Sequence, residues 1–223
     1  MKNNFMEYLN DYKLVVDRAG LLIMTNILLT VSSMLLMPVV ANNYSVNDLG
    51  IWAQLYTTSS LVSTLSTLGL TYSMTRFLAS KTGKKEIQEG FNTIIFTVAI
   101  FLLIMAFLIF TFAGSIASIL FEGNIIISML LLPLIILGCL NIILFNYFRT
   151  FNRIKVYSIV MVAETYIHVI LVAYLASSGC TLVSAITGVI ISYLTASLIM
   201  LFIISRDIEF KIPQFKNLKE YLK

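Results

Sequence analysis

Charge is scarce in this sequence, and metal ligands are scarcer. Of 223 residues only 12% are charged against 59% apolar, and the mean hydropathy is +0.93, which excludes an ordinary soluble domain. The chain is read as an integral membrane protein. Two cysteines, Cys139 inside an apolar run and Cys180 in a short connection, give no basis for a disulfide framework. One histidine is too few for a zinc site. There is no GxxxxGK[ST] loop to cradle a nucleotide phosphate and no GxSxG nucleophile turn, so neither nucleotide hydrolysis nor serine catalysis is expected, and no cofactor. The formal charge of +4 is read as a record of membrane topology rather than of a nucleic-acid partner.

The 15 basic residues fall in four clusters: Lys2, Lys13 and Arg18; Arg76, Lys81, Lys84 and Lys85; Arg149, Arg153 and Lys155; and Arg206, Lys211, Lys216, Lys219 and Lys223. Between them lie three basic-free intervals, residues 19–75, 86–148 and 156–205. A membrane span takes ~20 residues, so each interval holds two helices and a turn and returns the chain to the side it left. Each has a polar break near its middle, at 42–48, 113–124 and 177–181, and none of these breaks carries lysine or arginine. The expected fold is all-α: a six-helix bundle of three hairpins spanning 19–41, 49–75, 92–113, 125–148, 156–177 and 181–205. The positive-inside rule puts both termini in the cytoplasm. Residues 1–18 place Phe5, Tyr8, Leu9, Tyr12, Val15 and Val16 at helical spacing and are expected to lie along the interface. A cytoplasmic linker or tail, 206–223, repeats that pattern weakly through Phe215, Leu218 and Leu222.

Two polar constellations interrupt the apolar runs. The second expected span contains Gln54, Thr57, Thr58, Ser59, Ser60, Ser63, Thr64, Ser66, Thr67, Thr71, Ser73 and Thr75, with Trp52, Tyr56 and Tyr72. Hydroxyls at nearly every turn angle either bond back to the helix's own carbonyls, glue helices together or line water. Composition alone leaves those options level. In the fifth span, MVAETYIHVI sets Glu164 and His168 four residues apart on one face, ~12 and ~18 Å along the helix from residue 156. An ionised carboxylate at that depth needs a partner, water or a proton, so Glu164 and His168 are candidates for a proton or coupling-ion site. The alternative is a protonated Glu164 bonded to His168 or a neighbouring helix for structure alone. Asn26, Asn141 and Asn146 are read first as packing amides.

The run YSVNDLGIWAQLYTTSSLVSTLSTLGLTYSMTRFLAS, residues 44–80, resembles the first hairpin of the polysaccharide or oligosaccharide flippases of the multidrug/oligosaccharidyl-lipid/polysaccharide exporter superfamily. The matching features are Asp48 in a short outer loop, Gly50 followed by Ile51, the Leu68-Gly69-Leu70 step, Arg76, and FRTFNR at 148–153. The resemblance implies one six-helix lobe of a 12–14-helix exporter in the cell membrane, flipping lipid-linked oligosaccharide on a polyprenyl phosphate or pyrophosphate carrier by alternating access. A second lobe or a homodimer would complete it. By this reading Gln54, Ser63, Thr67, Thr71 and Asn26 are substrate-binding candidates, and Arg76 meets the pyrophosphate. The ordinary reading of Arg76 is a snorkelling anchor. Alternatives of other kinds are a cation-coupled multidrug exporter lobe, which would favour an aromatic, acidic cavity, and a non-transporting or inactive membrane subunit.

Overall fold

The computed structural model describes the backbone of residues 2–208 apart from Thr82, with side chains from Tyr12 onward. The regular structure of the described residues is all helical: α1 (Lys2–Asn43), α2 (Val46–Ser66), α3 (Leu70–Ser73) with a π-helical turn at Met74–Leu78, α4 (Lys84–Thr111), α5 (Ala113–Leu120), α6 (Ile125–Thr150), α7 (Ile154–Ser177) and α8 (Leu182–Ser205). Five helices among the described residues are long and apolar enough to cross a membrane: α1 from Tyr12, α4, α6, α7 and α8. The protein is therefore a multi-pass helical membrane protein. Phe5, Tyr8 and Leu9 have side chains outside the described residues, as does the tail beyond Ile208 with Phe215, Leu218 and Leu222. The backbone of α1 runs unbroken through residue 18.

Helix ends follow local chemistry. At the start of α2, Ser45 and Asp48 form a reciprocal capping box that satisfies two otherwise orphaned N–H groups. Asn124 opens α6 by accepting from the Ile127 N–H at 3.2 Å. Beyond α7, Gly179 takes φ 71 and lets the Cys180 N–H return to the Leu175 carbonyl at 3.1 Å.

Two expectations need correction. The second span is not one uniform helix from 49 to 75, because α2 stops at Ser66 and the chain breaks through Thr67, Leu68 and Gly69. Leu68 and Gly69 take successive left-handed φ values of 51 and 69. Glycine accepts that region freely, but leucine does so against steric cost. The Ser66 and Thr67 hydroxyls donate to the Val62 and Thr64 carbonyls and compete with helix continuation there. The break expected at 113–124 is also shorter: Ala113–Leu120 continues as α5, burying Ala113 and Ala117 at small-residue contacts, and the turn is confined to 121–124.

Packing divides the bundle by depth. Near the Ser45 end, Ile51, Trp52, Leu55, Leu131, Ile135, Val172, Ile186 and Val189 belong to one buried apolar cluster. Near the Arg153 end, Leu70, Met74, Leu78, Phe91, Leu144, Phe148, Val160 and Met200 belong to another. Between them the buried residues turn polar: Ser63, Ser66 and Thr67 on α2 and its break, Asn141 on α6, Glu164 and His168 on α7, and Ser192 and Ser197 on α8. The α2 break falls at this layer.

Candidate functional site

A cavity of about 550 Å³ lies at the polar layer, bounded by α1, α2, α6 and α7 with Tyr193 of α8 behind. Its wall carries Ser32 and Ser33 from α1, Tyr56, Ser59, Ser60 and Ser63 from α2, Asn141 from α6, and Glu164, Thr165 and His168 from α7, with Trp52 and Phe145 as further aromatic surface. Among the described residues, none of the lining side chains is lysine or arginine. Apolar side chains, among them Leu36, Met37, Val40, Leu134, Met161 and Val169, make up most of the remaining wall, so the cavity is amphipathic, with Glu164 as its acidic group.

Asn141 holds the deep end. Its amide nitrogen donates to Glu164 Oε1 at 3.1 Å and to the Tyr193 carbonyl at 3.3 Å, while Ser197 Oγ donates to its Oδ1 at 2.6 Å. One side chain thus ties α6 to α7 and to a turn of α8, using both N–H donors and its carbonyl oxygen. Four residues beyond Glu164, His168 Nε2 shares a 2.7 Å hydrogen bond with the Tyr56 hydroxyl, the two rings stacked 5.9 Å apart. Glu164 and His168 share one face of α7 but bond to different helices rather than to each other. At the α2–α6 contact Ser63 Oγ donates to the Ile135 carbonyl at 3.1 Å. Gly138 makes the approach possible, since a Cβ there would sit 2.9 Å from Ser63 Oγ.

The hydroxyls of α2 and the segment after it divide between the roles open to them. Ser59, Thr64 and Ser66 on α2, Thr67 in the break and Thr75 on the π-helical turn donate to carbonyls three or four residues back. Ser63 bonds across helices, and Ser59, Ser60 and Ser63 also face the cavity.

Of the candidates from sequence, Ser63, Glu164 and His168 come together in the cavity wall. Thr67 is buried at the helix break, and Thr71 is half-buried beyond it. Gln54, on α2, and Asn26, on α1, are exposed on the bundle surface. Arg76 is exposed on the π-helical turn, its guanidinium carbon 5.4 Å from the centre of the Phe77 ring and outside the cavity lining. Sequence reading undervalued Asn141, whose burial at the centre of the network leaves one local trace, an amide within the apolar stretch of α6, which Asn146 shares. Tyr193, Phe145, Ser32 and Ser33 left no comparable trace.

Comparison with protein families matches the model for polysaccharide biosynthesis proteins over residues 15–223. The chain belongs to that family. Neither the curated proteins nor the solved structures compared with it give a match. As a polysaccharide biosynthesis protein, it bears out the resemblance carried by residues 44–80 and 148–153 at the level of family. In this family member the polar groups of five helices meet inside the membrane bundle, where an ordinary apolar core would need none of them.

Proposed function

We propose that this polysaccharide biosynthesis protein forms one lobe of a flippase that moves lipid-linked oligosaccharide across the cell membrane by alternating access. The carrying observation is the amphipathic cavity, with Asn141, Glu164 and His168 in its wall, in a bundle whose sequence belongs to that family. Such a lobe crosses six times, residues 46–78 forming a sixth, broken span in addition to the five long helices. The basic residues Lys81, Lys84, Lys85, Arg149, Arg153 and Lys155 gather at the Arg153 end, whereas the turns at the Ser45 end carry Asp48 and Glu122, which supports a cytoplasmic Arg153 end with both termini on that side. A second lobe or second copy covers the outward face of α2, where Gln54, Thr57, Ser60 and Thr64 are exposed, and the π-helical turn beyond it, where Thr75 and Arg76 are exposed; these groups are poorly suited to lipid.

Within the cavity, Glu164 is the group whose charge changes when a proton or coupling cation binds, and His168 assists from the next turn. The protein binds and moves its cargo and makes or breaks no covalent bond in it. The test is translocation of a fluorescent lipid-linked oligosaccharide in vesicles containing the chain, with its second lobe if one is identified. Movement driven by an ion gradient is expected; vesicles that leave the lipid on one side under every gradient would contradict the reading.

One observation favours a second reading. The cavity is aromatic and acidic and has no arginine in its lining, which also suits an organic cation. Gradient-driven movement of a fluorescent cationic dye, with none of the lipid-linked sugar, would select a cation-coupled multidrug exporter.

A further inference from the structure

A second hollow lies on the outside of the bundle. It holds about 540 Å³ and is lined by Ile95 of α4, Leu140 of α6, and Leu198, Leu201, Phe202 and Ser205 of α8, none of which borders the central cavity. Both α4 and α8 pack on α6, and the hollow runs between them over Leu140. Its floor is fixed, because Ile95, Leu140 and Leu201 rest against the buried cluster that contains Phe91, Phe148 and Met200. Its rim is open, with Leu198 and Phe202 exposed. By helical rise the lining of α8 reaches ~10 Å inward from Ser205, about two-thirds of one leaflet's share of a ~30 Å hydrocarbon core.

One end of the hollow carries a cation. Arg206 follows Ser205 and holds its guanidinium carbon 4.5 Å from the centre of the Phe202 ring, which keeps the charge at the rim. The adjacent acid, Asp207, is bonded to Arg153, and among the described residues Arg206 has no carboxylate partner. The Ser205 hydroxyl donates to the Phe202 carbonyl, so the guanidinium supplies the donors left for an anion. An apolar trough ending at such a group matches an acyl chain followed by a phosphate. We propose that this hollow binds an anionic membrane phospholipid from the leaflet at the Arg153 end, with an acyl chain along Leu140, Leu198 and Leu201 and the phosphate on Arg206. A polyprenyl phosphate offers the same chemistry, but the hollow shares no lining residue with the transport cavity, which favours a resident lipid over cargo in transit. Such a lipid bridges α4 and α8 and stabilises the folded bundle by binding it alone.

Native mass spectrometry counts the bound lipid. The full chain is delipidated in detergent and mixed with phosphatidylglycerol or with phosphatidylcholine of the same acyl chains, circular dichroism confirming the helices of each variant. One phosphatidylglycerol should bind about fivefold more tightly than phosphatidylcholine and raise the thermal unfolding midpoint. Arg206→Ala, at an exposed position, should abolish that preference, and Arg206→Lys should keep most of it. Leu198→Trp adds bulk from the exposed wall and should weaken both lipids alike. Arg149→Ala is the control: Arg149 is exposed at the same end but on the side of α6 opposite Leu140, and its loss should leave the preference unchanged.

Equal affinity of the wild-type chain for the two lipids, or equal loss in Arg206→Ala and Arg149→Ala, would overturn the site and leave Arg206 an ordinary surface anchor. Displacement of phosphatidylglycerol by an equal concentration of polyprenyl phosphate would overturn its assignment to a resident phospholipid. Because bound lipid is counted without transport, the site can fail while vesicles still export sugar, and can hold while the cargo proves to be a cation.

Discussion

The Asn141 amide donates to Glu164 Oε1 across the α6–α7 contact at 3.1 Å, and through the same nitrogen reaches the Tyr193 carbonyl of α8. Removing that amide leaves a buried carboxyl group, a carbonyl and the Ser197 hydroxyl each short of a partner. Asn141→Leu should therefore destabilise the bundle by ~1–3 kcal/mol, lowering its thermal unfolding midpoint in detergent. Ser197→Ala should cost less, ~1 kcal/mol, because the amide keeps its other two bonds. The double variant should fall short of the sum of the two, since both act on one network.

Gly138→Ala tests the α2–α6 contact. The added methyl would lie 2.9 Å from Ser63 Oγ, whose hydroxyl is held at this contact by its bond to the Ile135 carbonyl. A cost of ~1–3 kcal/mol is expected from overpacking, again read from the unfolding midpoint. Ser63→Ala removes the obstructing oxygen, so it should recover part of that loss in the Gly138→Ala background.

At the Arg153 end, the Arg153 guanidinium is bonded to Asp207, joining the α6–α7 turn to the residues just beyond α8. Hydrogen bonding to Asp207, opposed in part by burial, holds Arg153 above its already high ordinary pKa. A raised folded-state pKa gives stability that is fully present below the unfolded value and is lost only as pH climbs through the folded one. Arg153 therefore adds no pH dependence near neutrality. Both side chains are about a third exposed, so Asp207→Asn should cost only ~0.2–1 kcal/mol, less at high salt, as measured by unfolding in low and high sodium chloride.

Arg76 and Lys84 are compared by export of glycan from cells. If Arg76 meets a phosphate on the carrier, Arg76→Ala should cut export at least tenfold more than Lys84→Ala, the ~1.4 kcal/mol expected of a charge-assisted contact. Equal effects would reduce Arg76 to an anchor at the membrane surface.

The spacing of basic residues located the long apolar helices because lysine and arginine are excluded from the hydrocarbon core, a constraint on every residue of a span. The i,i+4 spacing of Glu164 and His168 likewise put both on one face. Their partners were not legible: which helix meets that face depends on tertiary packing, so Asn141 and Tyr56 emerge only in three dimensions. The α2 break was hidden for a different reason. In STLGLT the glycine suits either a close helix contact or a bend, and nothing local announces that Leu68 would accept φ 51 beside it. At 113–124 the glycine and serines suggested a loop, whereas α5 uses its small residues for packing.

The most direct test of the account is gradient-driven translocation of a lipid-linked oligosaccharide in vesicles, comparing the wild-type chain with Glu164→Gln and, as a control at the bundle surface, Glu122→Gln. The glutamine keeps an oxygen to accept from Asn141 but cannot change charge. The account predicts that Glu164→Gln stays folded and loses the response of transport to a pH or cation gradient, while Glu122→Gln keeps it. Transport by Glu164→Gln with the wild-type gradient response would contradict the account and leave Glu164 a structural residue.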